Sequence, residues 1–378
     1  MTKTPCVALH ELGQSIWLDT ISDGLIQSGE LEKLIKAGAI YGVTSNPSIF
    51  KTAIGGGKYS YPAEIARLAA AGKSPDEIYD ELSIRDIVRT ADLLEETYRR
   101  SGGRDGFVSL EVSPTLADDT QATIAEAKRL WKKVGRPNLL VKVPGTKAGI
   151  PAVEALLADG ISVNVTLIFS APQYAEVAQA YVRGIERRAA AGLPLTGLHS
   201  VASVFVSRLD TAVDKELEAK ALAAPAEKER YLALRGKAAV ANALRVWQEY
   251  RARLFGSGFD SLRRAGVHPQ WLLWASTGTK NPSYSDIKYI EELAGPDSIN
   301  TAPRETLDAF LDHGKVEGNR LDPQIEPAQR LLLDFASAGI SLDAHCEKLL
   351  VDGVKLFATS FEEMMAVIRE RSAALTRG

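Results

Sequence analysis

The chain has 378 residues, 45% hydrophobic and 25% charged, a composition that excludes intrinsic disorder and allows a substantial buried core. Its net charge of −3 offers neither the basic footprint of a nucleic-acid-binding protein nor a polybasic membrane patch. No apolar run approaches the roughly 20 residues of a membrane span, the N-terminus is interrupted by polar residues unlike a signal peptide, and Cys6 and Cys346 make no disulfide framework. The expectation is a cytoplasmic protein with a small-molecule partner, without nucleic acid or membrane, and with monomer and homodimer both open.

In chain order, short apolar runs alternate with longer segments of helical periodicity. Strands are predicted at "SIWLDT" (15–20), "AIYGVTSN" (39–46), "FVSLEVS" (107–113), "NLLVKVP" (138–144), "SVNVTLIFS" (162–170), "LHSVASVFVS" (198–207), "WLLWAST" (271–277) and "DSINTAP" (297–303). Between the third and fourth, Leu116, Ile124 and Leu130 fall in an amphipathic pattern that Asp118 or Asp119 can cap. After the fifth, "SAPQYAEVAQAYVRGIERRAAAG" opens on a serine cap and ends in glycine. Strand followed by helix, repeated, implies parallel strands, and eight such units imply a closed (β/α)8 barrel in the α/β class. The remaining length reads as helical insertions at about 58–103 and 210–268 and a helical C-terminal tail from about 324, all embellishing one domain spanning 1–378.

Alternation along a strand sends successive side chains to opposite faces. Leu139, Val141 and Val143 then face the outer helices, and Leu140 and Lys142 face the interior. The same reading turns Val108, Leu110 and Val112 outward and Ser109, Glu111 and Ser113 inward. On the fifth strand Val163, Val165 and Leu167 point out, leaving Asn164 and Thr166 inside. Three neighbouring strands thus aim Glu111, Lys142, Asn164 and Thr166 into an interior normally filled with branched apolar side chains. Lys142 has two readings at this point. One is a buried ion pair with Glu111 that serves register. The other is a Schiff-base lysine whose apolar surroundings disfavour the ammonium form and free the amine to attack a carbonyl.

"GVTSNPSIF", "SLEVSP", "LLVKVPGT", "SVNVTLIFS" and "SVFVSRLD", in this order, resemble the transaldolase family, and "ASTGTKNPSYSD" resembles its longer bacterial branch. The resemblance runs from about residue 12 to residue 310 and more loosely to the end. It implies a (β/α)8 barrel that moves a dihydroxyacetone unit between sugar phosphates through a lysine Schiff base, with no metal or other cofactor. Carried onto this chain it makes Lys142 the nucleophile and Asp19 the acid/base carboxylate. Glu111 and Thr166 handle a catalytic water, Asn46 and Asn164 hold hydroxyls of the three-carbon unit, Ser203 and Phe205 form a wall, and Arg208 binds phosphate. Where many relatives carry a second phosphate-binding arginine after Ser276, this chain continues Thr277-Gly278-Thr279-Lys280, and Lys280 is read as the replacement, a point charge without arginine's fork. Two alternatives accompany this reading: an aldolase of the same superfamily that releases free dihydroxyacetone, and a non-catalytic sugar-phosphate-binding barrel.

Other signals lead nowhere. "AIGGGKYS" (53–60) has threonine where a phosphate loop needs its first glycine and tyrosine after Lys58. "SIFK" (48–51) lacks the companion motifs of its family. The five histidines form no metal-ligand pattern, and Trp271 and Trp274 read as packing.

Overall fold

Each of the eight apolar runs contains a strand: β1 (Gln14–Leu18), β2 (Gly42–Val43), β3 (Phe107–Glu111), β4 (Leu139–Pro144), β5 (Val163–Ile168), β6 (Ser200–Phe205), β7 (Trp271–Ala275) and β8 (Ser298–Ala302). In this computed structural model, which describes residues 3–56 and 61–375, the strands pair in parallel and in sequence order, and β8 returns to β1 to close the barrel. The end of the glycine-rich stretch 53–60 lies outside the described residues. Every strand residue is buried, as expected of a sheet covered by helices on one face and filled on the other. The closing seam is extensive: β1 and β8 pair from Gln14 with Ser298 through Leu18 with Ala302, and the Asp19 amide donates to the Ala302 carbonyl at 2.8 Å. The outcome is the predicted (β/α)8 barrel.

The strands are shorter than their apolar runs, for local reasons. β2 keeps only Gly42 and Val43 because Asn46 leaves the sheet to cap the helix Pro47–Gly55, its Oδ1 accepting from the Ile49 amide at 3.0 Å. Gly42 is required by packing: a Cβ there would lie 2.5 Å from the Trp17 ring. On β5 the alternation holds through Thr166 and then fails. The register against β6 shifts between Val165 and Ile168, and Leu167 sits at φ 57, a left-handed conformation rarely adopted by a branched residue.

Helix caps follow the sequence signals. Asp119, one of the two predicted caps, accepts from the Ala122 amide at 2.9 Å and starts Thr120–Val134, whereas Leu116 falls in the preceding 3-10 turn. Ser170 caps Ala171–Ala190 through the Gln173 amide. The tail is helical at Ile325–Ser337 and Leu342–Leu375. Its last helix packs on Pro47–Gly55, Tyr61–Ala70, Pro75–Arg100 and Ser207–Ala223. Among the described residues no helix is long and apolar enough to cross a membrane.

The amino-terminal end of the barrel is held by a polar network around Asp105, which is 1% exposed. Its Oδ2 accepts from Ser15 Oγ at 2.8 Å and lies 3.1 Å from His10 Nε2, and its Oδ1 accepts from Trp17 Nε1 at 3.4 Å. A buried carboxylate with this many donors is satisfied and carries register between strands.

Candidate active site

Barrel register places Glu111 opposite Lys142, and Lys142 opposite Asn164, so the three predicted interior residues form one row across β3, β4 and β5. Lys142 is only 4% exposed. Its Nζ donates to the Ser45 carbonyl at 3.0 Å and lies 3.6 Å from Glu111 Oε2, an ion-pair distance too long for a good hydrogen bond. Both carboxylate oxygens of Glu111 and the Oγ1 of Thr166 are buried without a hydrogen-bonding partner in the protein. Burial pushes the Glu111 carboxyl up to about 7, against the opposing pull of Lys142. Such a group can both take and give a proton near neutral pH.

Above this row opens a cavity of about 180 Å3 at the carboxyl ends of the strands, where barrel active sites lie. Lys142, Asp19, Asn46, Ser203, Phe205, Arg208, Ser276 and Lys280 all border it. Glu111, Asn164 and Thr166 do not border it; Glu111 and Asn164 flank Lys142 in register, and Thr166 stands opposite Pro144. Asn164, fully buried, donates to Ser109 Oγ at 3.0 Å and accepts from Ser203 Oγ at 2.7 Å, so its amide is locked in orientation. Asn46 commits its Oδ1 to the helix cap, which leaves the amide NH2 as the group it can offer a ligand.

Asp19 follows the last residue of β1 at the cavity mouth and accepts from Thr44 Oγ1 at 2.7 Å; that hydroxyl also meets Thr301 Oγ1 at 2.7 Å. Burial raises the Asp19 pKa, with Lys142, Thr44, Arg208 and Lys280 opposing in that order. Arg208 begins the helix after β6, its guanidinium 5.2 Å from the centre of the Phe205 ring, and burial lowers its pKa while Asp19 opposes. Lys280, itself exposed, borders the cavity from the loop after β7, which opens at Ser276 with φ 55 and runs through buried Thr277 and Gly278. The cation pair thus marks one side of the mouth. Among the described residues no cluster of three or more His, Cys, Asp or Glu is placed to hold a metal.

The profile of the transaldolase/fructose-6-phosphate aldolase family matches residues 16–368. The chain belongs to that family. It is 47% identical to a curated transaldolase of Thiobacillus denitrificans over 95% of this chain and 98% of the relative. It is 45% identical to that of Saccharopolyspora erythraea over 98% of each, and 41% identical to that of Trichodesmium erythraeum over the full length of both. The function is that of a transaldolase, a transferase, and the family acts on sugar phosphates.

Sequence reasoning missed several residues of this candidate site. Thr44 and Ser45 stand inside the motif "GVTSNP" and were readable there as neighbours of Asn46. Thr301 lies in the weakest strand signal. Phe357, from the C-terminal helix, also borders the cavity, and no local pattern announced it.

Proposed function

We propose that this transaldolase transfers a dihydroxyacetone unit from a ketose phosphate to an aldose phosphate through a Schiff base on Lys142, converting sedoheptulose 7-phosphate and glyceraldehyde 3-phosphate into erythrose 4-phosphate and fructose 6-phosphate. The observation that carries the reading is a buried lysine amine at the wall of the cavity, with Asp19 also bordering it and two unsatisfied polar groups, the Glu111 carboxyl and the Thr166 hydroxyl, on the neighbouring strands. Lys142 attacks the ketose carbonyl, and Glu111 with Thr166 positions the water that is exchanged in forming and dehydrating the carbinolamine. Asp19 removes the C4 hydroxyl proton, the C3–C4 bond breaks, and the protonated imine accepts the electron pair as an enamine. The first aldose leaves. The enamine then attacks the second aldehyde while Asp19 returns the proton, and addition of the water held by Glu111 and Thr166 to the new imine, followed by C–N cleavage, frees the ketose and the Lys142 amine.

Asn46 and Asn164 hold hydroxyls of the three-carbon unit, Ser203 and Phe205 shape its wall, and Arg208, Lys280 and Ser276 receive the phosphate. Phenyl at position 205 offers a hydrolytic water no partner, which favours transfer over release of free dihydroxyacetone. The whole chain acts as one barrel domain, and buried, unpaired Cys6 and Cys346 suit a cytoplasmic setting.

Borohydride reduction with fructose 6-phosphate, followed by peptide mass mapping, tests the assignment. The three-carbon adduct is expected on the Lys142 peptide; an adduct on another lysine overturns it. Phe205→Tyr is expected to raise dihydroxyacetone release and impair transfer, and rapid acceptor-independent release by the unmodified chain would favour the aldolase reading.

A further inference from the structure

The cavity walls are mostly polar: Asp19, Thr44, Asn46, Ser48, Lys142, Ser203, Arg208, Ser276, Lys280 and Thr301 border it, and its two large apolar side chains are Phe205 and Phe357. Phe205 belongs to the barrel. Phe357 arrives from the C-terminal helix, more than two hundred residues after Lys142 in the sequence, and is 2% exposed.

Its position is fixed by a series of contacts along one helix face. One turn before it, Gly353 allows the helix to approach the strained Leu167 and the phosphate arginine: a Cβ there would lie 3.1 Å from Leu167 Cδ2 and 3.7 Å from Arg208 Nη1. One turn after it, Ser360 Oγ meets Ser48 Oγ at 2.9 Å, and Phe361 sets its ring edge-on to Tyr79 at 5.3 Å. Further along, Glu363 pairs with Lys51, and Arg371 donates to the carbonyls of Ile54 and Gly55 at 3.1 and 3.2 Å. The helix is therefore clamped along Pro47–Gly55, the helix that Asn46 caps, so Phe357 has a defined place over the mouth.

We propose that Phe357 is a specificity-determining residue that closes the part of the cavity left open by the eight strands and, with Phe205, withholds water from the three-carbon enamine. This rests on the Schiff-base reading above. Escape of the enamine as dihydroxyacetone requires a proton on its C3, addition of one water at the imine carbon, and cleavage of the C–N bond to return the amine of Lys142. The water at the imine carbon is the one already held by Glu111 and Thr166, which product release also uses, so the distinguishing step is delivery of a proton to C3 of the enamine. Two phenyl rings supply no proton donor there, so the intermediate waits for an aldehyde.

The test uses the full chain and fructose 6-phosphate, measuring dihydroxyacetone with and without glyceraldehyde 3-phosphate, beside borohydride trapping of the imine. Phe357→Ala is expected to raise acceptor-independent dihydroxyacetone release relative to transfer by about tenfold, equivalent to a change of about 1.4 kcal/mol between the competing barriers. Phe357→Leu, which restores an apolar plug, is expected to return the ratio toward that of the unmodified chain. Val351→Ala, on an exposed part of the same helix, is expected to leave it unchanged. If the unmodified chain traps no adduct on Lys142, the Schiff-base reading fails and this inference with it. If the adduct forms and Phe357→Ala leaves the ratio unaltered, or Val351→Ala moves it equally, the inference alone is overturned. Should Phe357→Ala trap no adduct, Phe357→Tyr decides: it keeps the ring and adds a hydroxyl, so increased release supports the proposal and an unchanged ratio sinks it.

Discussion

Two buried carboxylates bracket β3, and their surroundings differ in kind. Asp105, just before the strand, accepts from Ser15 and Trp17 and meets His10. Glu111, the last residue of the strand, has neither oxygen hydrogen-bonded to the protein, and burial has pushed its pKa up to about 7. A satisfied carboxylate is framework, while an unsatisfied one retains capacity to bind and exchange protons. The barrel thus separates stability at its amino-terminal end from chemistry at its carboxyl end.

That division can be broken by experiment. Lys142→Met at the chemical end should reduce transfer by at least about 10^4-fold while leaving the fold intact, since groups that act as a unit fail together. Steady-state kinetics with thermal unfolding checks both halves, and a large loss of stability would place Lys142 in the framework. Asp19→Asn should slow carbon–carbon cleavage by about 10^3-fold while imine trapping persists, the usual scale of a lost acid/base group. Unchanged turnover would remove Asp19 from the mechanism.

Glu111→Gln sharpens the comparison through pH. Turnover of the unmodified chain should fall as pH drops through about 7, where Glu111 gains its proton, and the glutamine variant, slower by about 10^2-fold, should lose that limb. Stability runs the other way. Because the folded pKa exceeds the ordinary glutamate value of about 4.5, the contribution is present below about 4.5 and is lost as pH rises through about 7, and the variant should flatten that slope. A pH-rate profile and unfolding at several pH values report the two effects separately.

The smallest effect on catalysis belongs to the other end. Asp105→Asn should cost about 1–3 kcal/mol of stability by disturbing buried hydrogen bonds, with kcat nearly unchanged. Denaturant titration beside kinetics is the measurement, and a collapse of kcat without destabilisation would contradict the division of labour.

Much of this arrangement is legible in the residues. Period-two alternation identifies Ser109, Glu111, Lys142 and Asn164 as sharing the interior face, and the register then sets Glu111, Lys142 and Asn164 in one row across three regular neighbouring strands. The same rule fails at Leu167, where the backbone leaves the strand geometry on which alternation depends. The run overstates strand length at β2 because residues 44–46 are polar and turn their hydrogen bonds to Asp19 and a helix cap instead. The tail's helicity is readable from local pattern, but Phe357's place at the cavity is not, since contact with residues 48–54 across such a separation is decided by docking.

The seam between β1 and β8 has a further consequence for which disturbances reach which carboxylate. Asp19 is hung from Ala302 across that seam, whereas Lys142 and Glu111 are held in register by a different pair of strands, β3 and β4. Loosening the seam therefore displaces Asp19 while the lysine and its neighbour keep their places. Closure of the cylinder sets one carboxylate, and an interior strand pair sets the other.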